Sequence, residues 1–179
     1  MEGTTLQHQG GLALRRNQLD RATRLFQQAL QRFQEAGKSG AMMRTYNNLG
    51  VVEQNVGRLA EARAWYEKSR ELAVQLQDQP CLGQAAQNIG IVCQREGEAA
   101  RERGDEPAAR QHFEAARSSV EESLKVWQAQ QNKPSEARSL GQLARIHFRL
   151  GDLDAAERHA QAAREICESL GIKEARADS

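Results

Sequence analysis

Small and apolar residues recur along the chain with the spacing of one helix face, and the pattern returns after 40 residues. Residues 47–50 read Asn-Asn-Leu-Gly, and residues 88–90 read Asn-Ile-Gly. Leu49 and Ile89 hold the same place in this phrase and are 40 residues apart (89 minus 49). A period of this length predicts a repeat array, in which function usually resides on an extended surface.

Four units come into register on this phrase, and each predicts two helices joined by a short turn. A Gly or Asn able to adopt the left-handed conformation ends the first helix, and the second helix carries small residues and an aromatic one. We expect the small residue where the two helices approach closely, and the ring one turn later in the gap toward the next unit. The register aligns Gly57, Ala62, Tyr66 and Ser69 of the second unit with Asn17, Ala22, Phe26 and Ala29 of the first and with Gly151, Ala156, Ala160 and Ala163 of the fourth.

The third unit is longer than the others. Leu143 lies 54 residues after Ile89 (143 minus 89), which exceeds the period by 14. Gly104 fits the turn better than Gly97, because an alanine and Phe113 follow it at the right distance. The surplus then divides into seven residues per helix. Both helices of this hairpin are predicted to be two turns longer than their neighbours and to project by ~10 Å.

The packing positions of the third hairpin are expected to shift by seven residues. Ala116, Val120 and Ser123 then pack on the second unit, while Ala109 and Phe113 hold the projecting tip together. Two interpretations of the tip stay open. A tolerated surface insertion is favoured over a contact ridge for a partner, because exposed insertions cost little.

The predicted boundaries follow the helix breakers between units. Helices are expected to stop at Gly40, Pro80 and Pro134. The chain is predicted to form a single domain, 1–179, and residues 170–176 resemble another link followed by the start of a fifth unit, which favours a fragment of a larger protein over self-association through the last helix. The predicted repeats are 4–38, 41–78, 81–132 and 135–170, with 171–179 as a tail or the start of a further repeat.

Composition favours helices throughout. With 39% hydrophobic and 27% charged residues, the 179-residue chain has globular composition, and 3 prolines and 4% aromatic residues predict an all-α fold. The net charge of +1 argues against nucleic acid or an anionic membrane as the main partner. No apolar stretch approaches the ~18 residues of a membrane span, and the first residues lack a signal peptide's apolar core, which predicts a cytoplasmic protein.

No pattern in the sequence indicates catalysis, a metal or a cofactor. The 3 cysteines share no metal-ligand spacing and are interpreted as reduced packing residues, and the 4 histidines form no HExxH motif. A nucleophile elbow, a phosphate-binding loop and a paired carboxylate set are also missing from the sequence. We therefore expect no enzymatic activity and no cofactor.

The repeating residues resemble the tetratricopeptide repeat, whose pattern of Leu-Gly, Gly, Ala, aromatic and Ala is matched at residues 49–50 and at Gly57, Ala62 and Tyr66, with Ser69 at the last place. The step is longer than the usual ~34 residues. It is similar to the longer-helix arrays of G-protein-regulator scaffolds, kinesin light chains and bacterial peptide-pheromone receptors. The resemblance implies a right-handed α-solenoid of four helix-turn-helix repeats that binds proteins or peptides.

In such arrays the first helix of each unit lines a concave groove, which side chains at i, i+4, i+7 and i+11 enter. No carboxylate is found at these positions, whereas arginines are frequent, so the groove is predicted to be basic and its ligand an acidic peptide. The rows are Thr4, His8, Gly11 and Arg15; Arg44, Asn48, Val51 and Asn55; Gln84, Asn88, Ile91 and Arg95; and Arg138, Gln142, Arg145 and Arg149. The candidate peptide-binding residues are Asn48, Asn88, Arg44, Asn55, Arg95, Arg138, Gln142, Arg145 and Arg149.

The asparagines carry a more specific implication of the resemblance. In related arrays an asparagine at the place of Asn48 and Asn88 grips the main chain of a bound peptide, since an amide offers both a donor and an acceptor. The carboxylate clamp of chaperone-binding arrays does not carry over, because Gln7, Gly11 and Gln84 stand where basic and amide residues are needed.

Three functions remain open at the level of sequence. The first is a non-catalytic interaction module or scaffold whose groove holds an acidic segment. The second is a peptide sensor or the regulatory part of a larger signalling protein, in which ligand binding changes the superhelical pitch. The third is a structural array that self-assembles through its terminal helices.

Overall fold

The computed structural model describes residues 2–171, and within them the chain is entirely helical outside short turns. Each helix packs against the next along the chain, and α1, α3 and α5 also contact one another in order. No helix in this part of the chain is both long and apolar enough to cross a membrane. The helices are α1 Glu2–Arg15, α2 Leu19–Glu35, α3 Ser39–Val56, α4 Leu59–Gln75, α5 Gln79–Glu102, α6 Glu106–Ala129, α7 Lys133–Leu150 and α8 Leu153–Ser169.

Four helices begin at an acidic or amide cap. The side chains of Asp78, Asp105, Asn132 and Asp152 each accept a hydrogen bond from the backbone N–H three residues on, at 3.0 to 3.2 Å. Three of these helices also carry a proline in their first turn, where no backbone donor is lost. The prediction that helices stop at Gly40, Pro80 and Pro134 is therefore wrong. These residues lie in the first turns of α3, α5 and α7.

Left-handed residues mark the turns on both sides of every second helix. Within the four hairpins, Asn17, Gly57, Gly104 and Gly151 have φ between 56° and 89°, as the sequence register predicts. Gly37, Gln77 and Gln131 play the same part between hairpins, with φ between 53° and 62°. These turns hold the eight helices of the described residues in four successive pairs.

The two helices of a hairpin meet where an aromatic ring lies against a glycine. A Cβ at Gly50 would lie 2.5 Å from Cε1 of Tyr66. The pairs Gly10 with Phe26 and Gly97 with Phe113 repeat the arrangement, with 2.7 and 2.8 Å. The rings also reach the next hairpin, as predicted, since Tyr66 shares a buried cluster with Ile89 of α5 and Phe26 shares one with Leu49 of α3. The contact of each ring with a glycine of its own hairpin was not predicted.

The third hairpin is extended, as predicted. Helices α5 and α6 have 24 residues each, against 17 or 18 in the second and fourth hairpins. Gly97 receives Phe113 near the tip, while Gly90, seven residues earlier, faces Val120, seven residues later than Phe113. Ser123 is buried and lies 3.3 Å from the Ser139 hydroxyl on α7. The shift by seven residues is confirmed for the contacts with α5 of the same hairpin and with α7 of the fourth, whereas packing of these residues on the second unit stays a prediction.

The fourth hairpin has the thinnest core. Helix α8 buries a single residue, Ala155, while Ala156 is half-buried and Ala160 is exposed. The sequence suggested a fifth unit beginning at residues 170–176, most of which lie outside the described residues. The proposed repeat boundaries stay a prediction beside the helix bounds given above.

Side-chain ties cross the junction between the second and third hairpins on both sides. Arg70 of α4 donates two hydrogen bonds to the Glu122 carboxylate of α6, at 2.8 and 2.9 Å. On the opposite side, the Asn88 amide of α5 donates to the Asn47 side-chain oxygen of α3 at 2.9 Å. Because Arg70 binds both carboxylate oxygens of Glu122, this ion pair also fixes the relative orientation of the two side chains.

Candidate functional site

The first helices lie side by side and form one face of the molecule, here called the first-helix face (α1, α3, α5 and α7). Gln7 of α1 donates a hydrogen bond to the Thr45 hydroxyl of α3 at 3.2 Å. The Asn88 to Asn47 hydrogen bond joins α3 to α5 in the same way. Polar side chains therefore connect the neighbouring repeats across this face.

A pocket of about 420 Å³ opens on the first-helix face between α1, α3 and α5; we call it the α1–α5 pocket. It brings together seven residues of the predicted rows, including Asn48 and Arg44. No acidic residue lines it. The lining residues are Thr4, Gln7, His8, Gly11, Arg15, Arg44, Asn47, Asn48, Ser69, Cys81 and Gln84.

The α1–α5 pocket is basic. Arg15 and Arg44 are exposed, and within residues 2–171 neither guanidinium forms an ion pair with a carboxylate. Burial and the nearby Asp78 raise the pKa of the Cys81 thiol to about 11, although the positive charge of Arg44 opposes the rise. A thiol in this state stays protonated at neutral pH, so the pocket offers amides, hydroxyls and cations rather than a nucleophile.

Several predicted residues lie elsewhere. Gln142 is 1% exposed, so its predicted contact with a ligand is wrong for this structure. Asn88 is half-buried and uses its amide on Asn47, which gives it a structural part. Asn55, Arg95 and Arg138 are exposed but do not line the α1–α5 pocket.

Arg145 and Arg149 belong to a second depression of about 530 Å³ at the last hairpin, here called the α7–α8 groove. The Arg149 guanidinium lies 3.6 Å from the Glu98 carboxylate, on the extended part of α5. The groove is therefore less basic at this end than the row positions alone predict, because Glu98 is not a row position. The lining residues are Gln94, Glu98, Ala144, Arg145, Phe148, Arg149, Leu153, Ala156, Glu157 and Ala160.

Four residues of the α1–α5 pocket lie outside the predicted rows: Gln7, Asn47, Ser69 and Cys81. Gln7 and Asn47 each directly precede a row position, so a wider helix stripe would have included them. Ser69 belongs to a second helix, where its hydroxyl donates to the Met43 carbonyl at 3.0 Å. That contact depends on how two helices pack, which one helix periodicity does not reveal.

Two histidines of the last hairpin, His147 on α7 and His159 on α8, lie close together. The rings of His147 and His159 are 5.2 Å apart, and the Nδ1 of His147 lies 3.2 Å from an Asp152 carboxylate oxygen. Burial, and then the nearby His147, lower the pKa of His159. In the part of the chain that the structure describes, no three His, Cys, Asp or Glu side chains are grouped so that they could hold a metal ion.

Solved structures that share the fold include two with TM-scores above 0.7. BtubC (BKLC) from P. vanneervenii superposes with a TM-score of 0.71 at 18% identity, over 94% of this chain and 64% of that one. Aspartyl phosphate phosphatase F from Bacillus subtilis superposes with a TM-score of 0.80 at 14% identity, over 94% of this chain and 41% of that one. This chain therefore spans less than two thirds of either protein.

Sequence comparison gives the family. No curated protein matches the chain by sequence. A family model described as tetratricopeptide repeat matches residues 41–120 and 108–169, which is most of the chain. Repeats of this kind serve in general as protein-interaction modules, and the chain belongs to the tetratricopeptide repeat family.

Proposed function

We propose that this chain is a non-catalytic interaction module, placed in the cytoplasm, that binds an extended peptide with acidic side chains in the α1–α5 pocket. One observation carries the proposal. The pocket joins three first helices, is lined by amides and by two arginines without ion pairs, and contains no carboxylate. Each of these properties complements a peptide main chain with acidic side chains.

The amide and the guanidinium groups have different parts in this proposal. Asn48 is half-buried on α3 and presents one donor and one acceptor to a peptide unit. Arg15 and Arg44 supply bidentate hydrogen bonds to carboxylates. Two helix-to-helix steps of ~10 Å separate α1 from α5. An extended peptide of about six residues spans that distance.

An array of hexapeptides that differ in the number and place of acidic residues tests this proposal. We expect Arg44→Gln and Asn48→Ala each to weaken binding of acidic peptides by roughly tenfold, the loss of one charge-assisted or buried hydrogen bond. The matched controls are Arg110→Gln on α6 and Gln28→Ala on α2, which remove an exposed guanidinium group and an exposed amide outside the pocket.

Peptides in which lysine replaces each acidic residue should not bind. The proposal is wrong if the controls weaken binding as much as the pocket variants do. It is also wrong if no acidic hexapeptide binds the wild-type chain.

A second candidate is the sensing part of a longer signalling protein. The observation that favours it is the superposition on 41% of aspartyl phosphate phosphatase F, so an array with this fold occurs inside a longer phosphatase. The same pocket would then receive the signal peptide. A peptide that binds the α1–α5 pocket and changes the radius of gyration in solution scattering would support this candidate, whereas a scaffold keeps its dimensions.

A further inference from the structure

The last hairpin departs from the ring-on-glycine packing of the first three. In those hairpins the ring follows its glycine by 16 residues, as in Tyr66 and Gly50 (66 minus 50). The same interval in the last hairpin joins Ala144 to Ala160 (160 minus 144). Both alanines line the α7–α8 groove, so the space that a ring fills elsewhere is open here.

The α7–α8 groove has the position of a helix-binding surface. In the second hairpin the equivalent residues Ala62 and Tyr66 share one buried cluster with Ile89 and Val92 of the next helix, α5, and the partly buried Leu59 packs against this cluster. No described helix covers α7 and α8 in this way. Phe148 and Leu153 on its walls are each 61% exposed, in a chain whose other aromatic residues are mostly buried or half-buried.

The charges of the groove select among acidic and basic ligands. Arg145 is exposed and, within residues 2–171, has no ion pair, whereas the Arg149 charge is partly matched by Glu98. Glu157 lies on the α8 side. A carboxylate is therefore favoured beside α7 and disfavoured beside α8.

A second copy of the chain does not suit the groove. Stacking end to end would place α1 of the next copy there, and α1 carries Gln9 where α3, α5 and α7 carry Leu49, Ile89 and Leu143. Gln9 is exposed, and its face of α1 carries the exposed residues Glu2 and Thr5 beside a single exposed apolar residue, Leu12. The last residues of this chain, 172–179, contain no aromatic side chain that could fill the space between Ala144 and Ala160.

We propose that the α7–α8 groove binds an amphipathic helix of a partner protein, which inserts an aromatic side chain between Ala144 and Ala160 and places a carboxylate against Arg145. The helix takes the position that the next first helix occupies in the other hairpins. Its ring supplies the large apolar group that this hairpin lacks, and its acidic residue supplies the ion pair that Arg145 lacks. The site is independent of the α1–α5 pocket.

Helical peptides of defined sequence test the proposal. The probe is an alanine-based helix of about 16 residues with one tryptophan and, one turn later, a glutamate. Its matched versions replace tryptophan by alanine or glutamate by lysine. Fluorescence anisotropy on the full chain should show the tryptophan–glutamate peptide binding roughly tenfold tighter than either version.

Variants of the chain separate the two parts of the site. Arg145→Gln should abolish the preference for glutamate and keep that for tryptophan. Ala144→Gly combined with Ala160→Tyr restores the ring-on-glycine pair and should abolish binding of every peptide without lowering the unfolding midpoint. Phe148→Ser combined with Leu153→Ser removes two apolar side chains from the walls of the groove and should also abolish binding of every peptide. Because both side chains are exposed, their loss should leave folding intact.

Three results bear on the outcome. Arg44→Gln should leave helix binding unchanged, which separates this site from the α1–α5 pocket whatever that pocket binds. Equal binding of all peptides to the wild-type chain would overturn the proposal. So would light scattering in which the wild type is a dimer and the groove variants are monomers, since a second copy would then occupy the groove.

Discussion

The two helices of a hairpin approach so closely that a methyl group added at the contact glycine does not fit beside the ring. Gly50 has no Cβ, which leaves room for the Tyr66 ring. A Cβ at this position would lie 2.5 Å from Cε1 of that ring. Gly11 lies on α1, and a Cβ added there would have no side chain or neighbouring helix within 4 Å. The two glycines differ in surroundings but share a helical backbone, so they separate packing from backbone entropy.

Gly50→Ala is expected to destabilise the chain by about 1–3 kcal/mol, because a close-packed ring must move. Gly11→Ala, the matched control, is expected to stabilise it by about 0.5–1 kcal/mol through the lower entropy of the unfolded chain. Urea unfolding followed by circular dichroism measures both values. A Gly50→Ala chain as stable as the Gly11→Ala chain would contradict the close packing seen in the structure.

The His159 ring predicts a pH dependence. Its pKa is lowered by burial, by His147 and by Arg158, against the opposing charges of Glu121 and Asp152. The unfolded chain then binds more protons, so stability is highest above the unfolded pKa of ~6.5 and falls as pH decreases through it toward the folded value. Thermal midpoints measured from pH 7.5 to pH 5 should fall less steeply for His159→Gln than for the wild type.

That test is confined to this pH range because the Asp152 carboxyl, whose pKa is lowered chiefly by the Ala155 backbone N–H, acts only in more acidic solution. Equal slopes for the wild type and His159→Gln would show that the ring has no part in the pH response. At the residue scale, spacing predicted where glycines and rings stand. It also predicted that Tyr66 and Phe26 reach the next hairpin, but not that each ring lies against a glycine of its own hairpin, because a helix period does not show how closely two helices approach.

At the scale of elements, the third hairpin shows that a repeat can be lengthened by whole heptads. Seven residues turn an α-helix through nearly two full turns, so an insertion of this length keeps the buried face toward its neighbours. Gly90 and Gly97 on one helix and Phe113 and Val120 on the other keep the two contacts seven residues apart. The insertion was predictable from sequence because its length was an offset in a regular pattern.

Removal of both heptads, 91–97 and 114–120, should give a folded chain in which Phe113 packs on Gly90 as Tyr66 packs on Gly50. Removal of only one heptad leaves helices of unequal length. A glycine and Phe113 stay 16 residues apart at the tip, but the contact of Gly83 with Trp127 at the base is displaced by seven residues, so each single deletion should give a chain that unfolds at much lower urea concentration. Circular dichroism and urea unfolding on the three deletion variants measure this. A double deletion no more stable than the single ones would contradict the heptad interpretation.

At the scale of the whole molecule, burial predicts that the array is most stable in the middle and least stable at its last helix. Helix α6 buries seven residues, whereas α8 buries one. Local opening in repeat arrays follows the contacts with neighbouring units. The surfaces at this scale were the least predictable. The Glu98 to Arg149 ion pair and the Asn88 to Asn47 hydrogen bond depend on how neighbouring repeats are placed, which the sequence of one helix does not determine.

Hydrogen exchange should therefore be fastest in α8 among the second helices and slowest in α6. Mass spectrometry of peptic fragments resolves the helices in the wild-type chain. Ala144→Gly with Ala160→Tyr should slow exchange in α8 and leave α2 unchanged as the internal control. Uniform protection of all four second helices would argue against a stability gradient.

The ties across the junction of the second and third hairpins have a mechanical consequence. Arg70 and Glu122 fasten one side of this joint, and Asn47 and Asn88 fasten the other. A joint held on both sides can neither open nor close without losing directional hydrogen bonds, so these two hairpins move as one rigid block. The joint between the third and fourth hairpins is held on both sides as well, by the Ser123 and Ser139 hydroxyls and by the Arg149–Glu98 ion pair. Flexing of the solenoid, whether under load or around a ligand, is therefore expected at the first joint, where the Gln7 to Thr45 hydrogen bond lies on the side of the α1–α5 pocket.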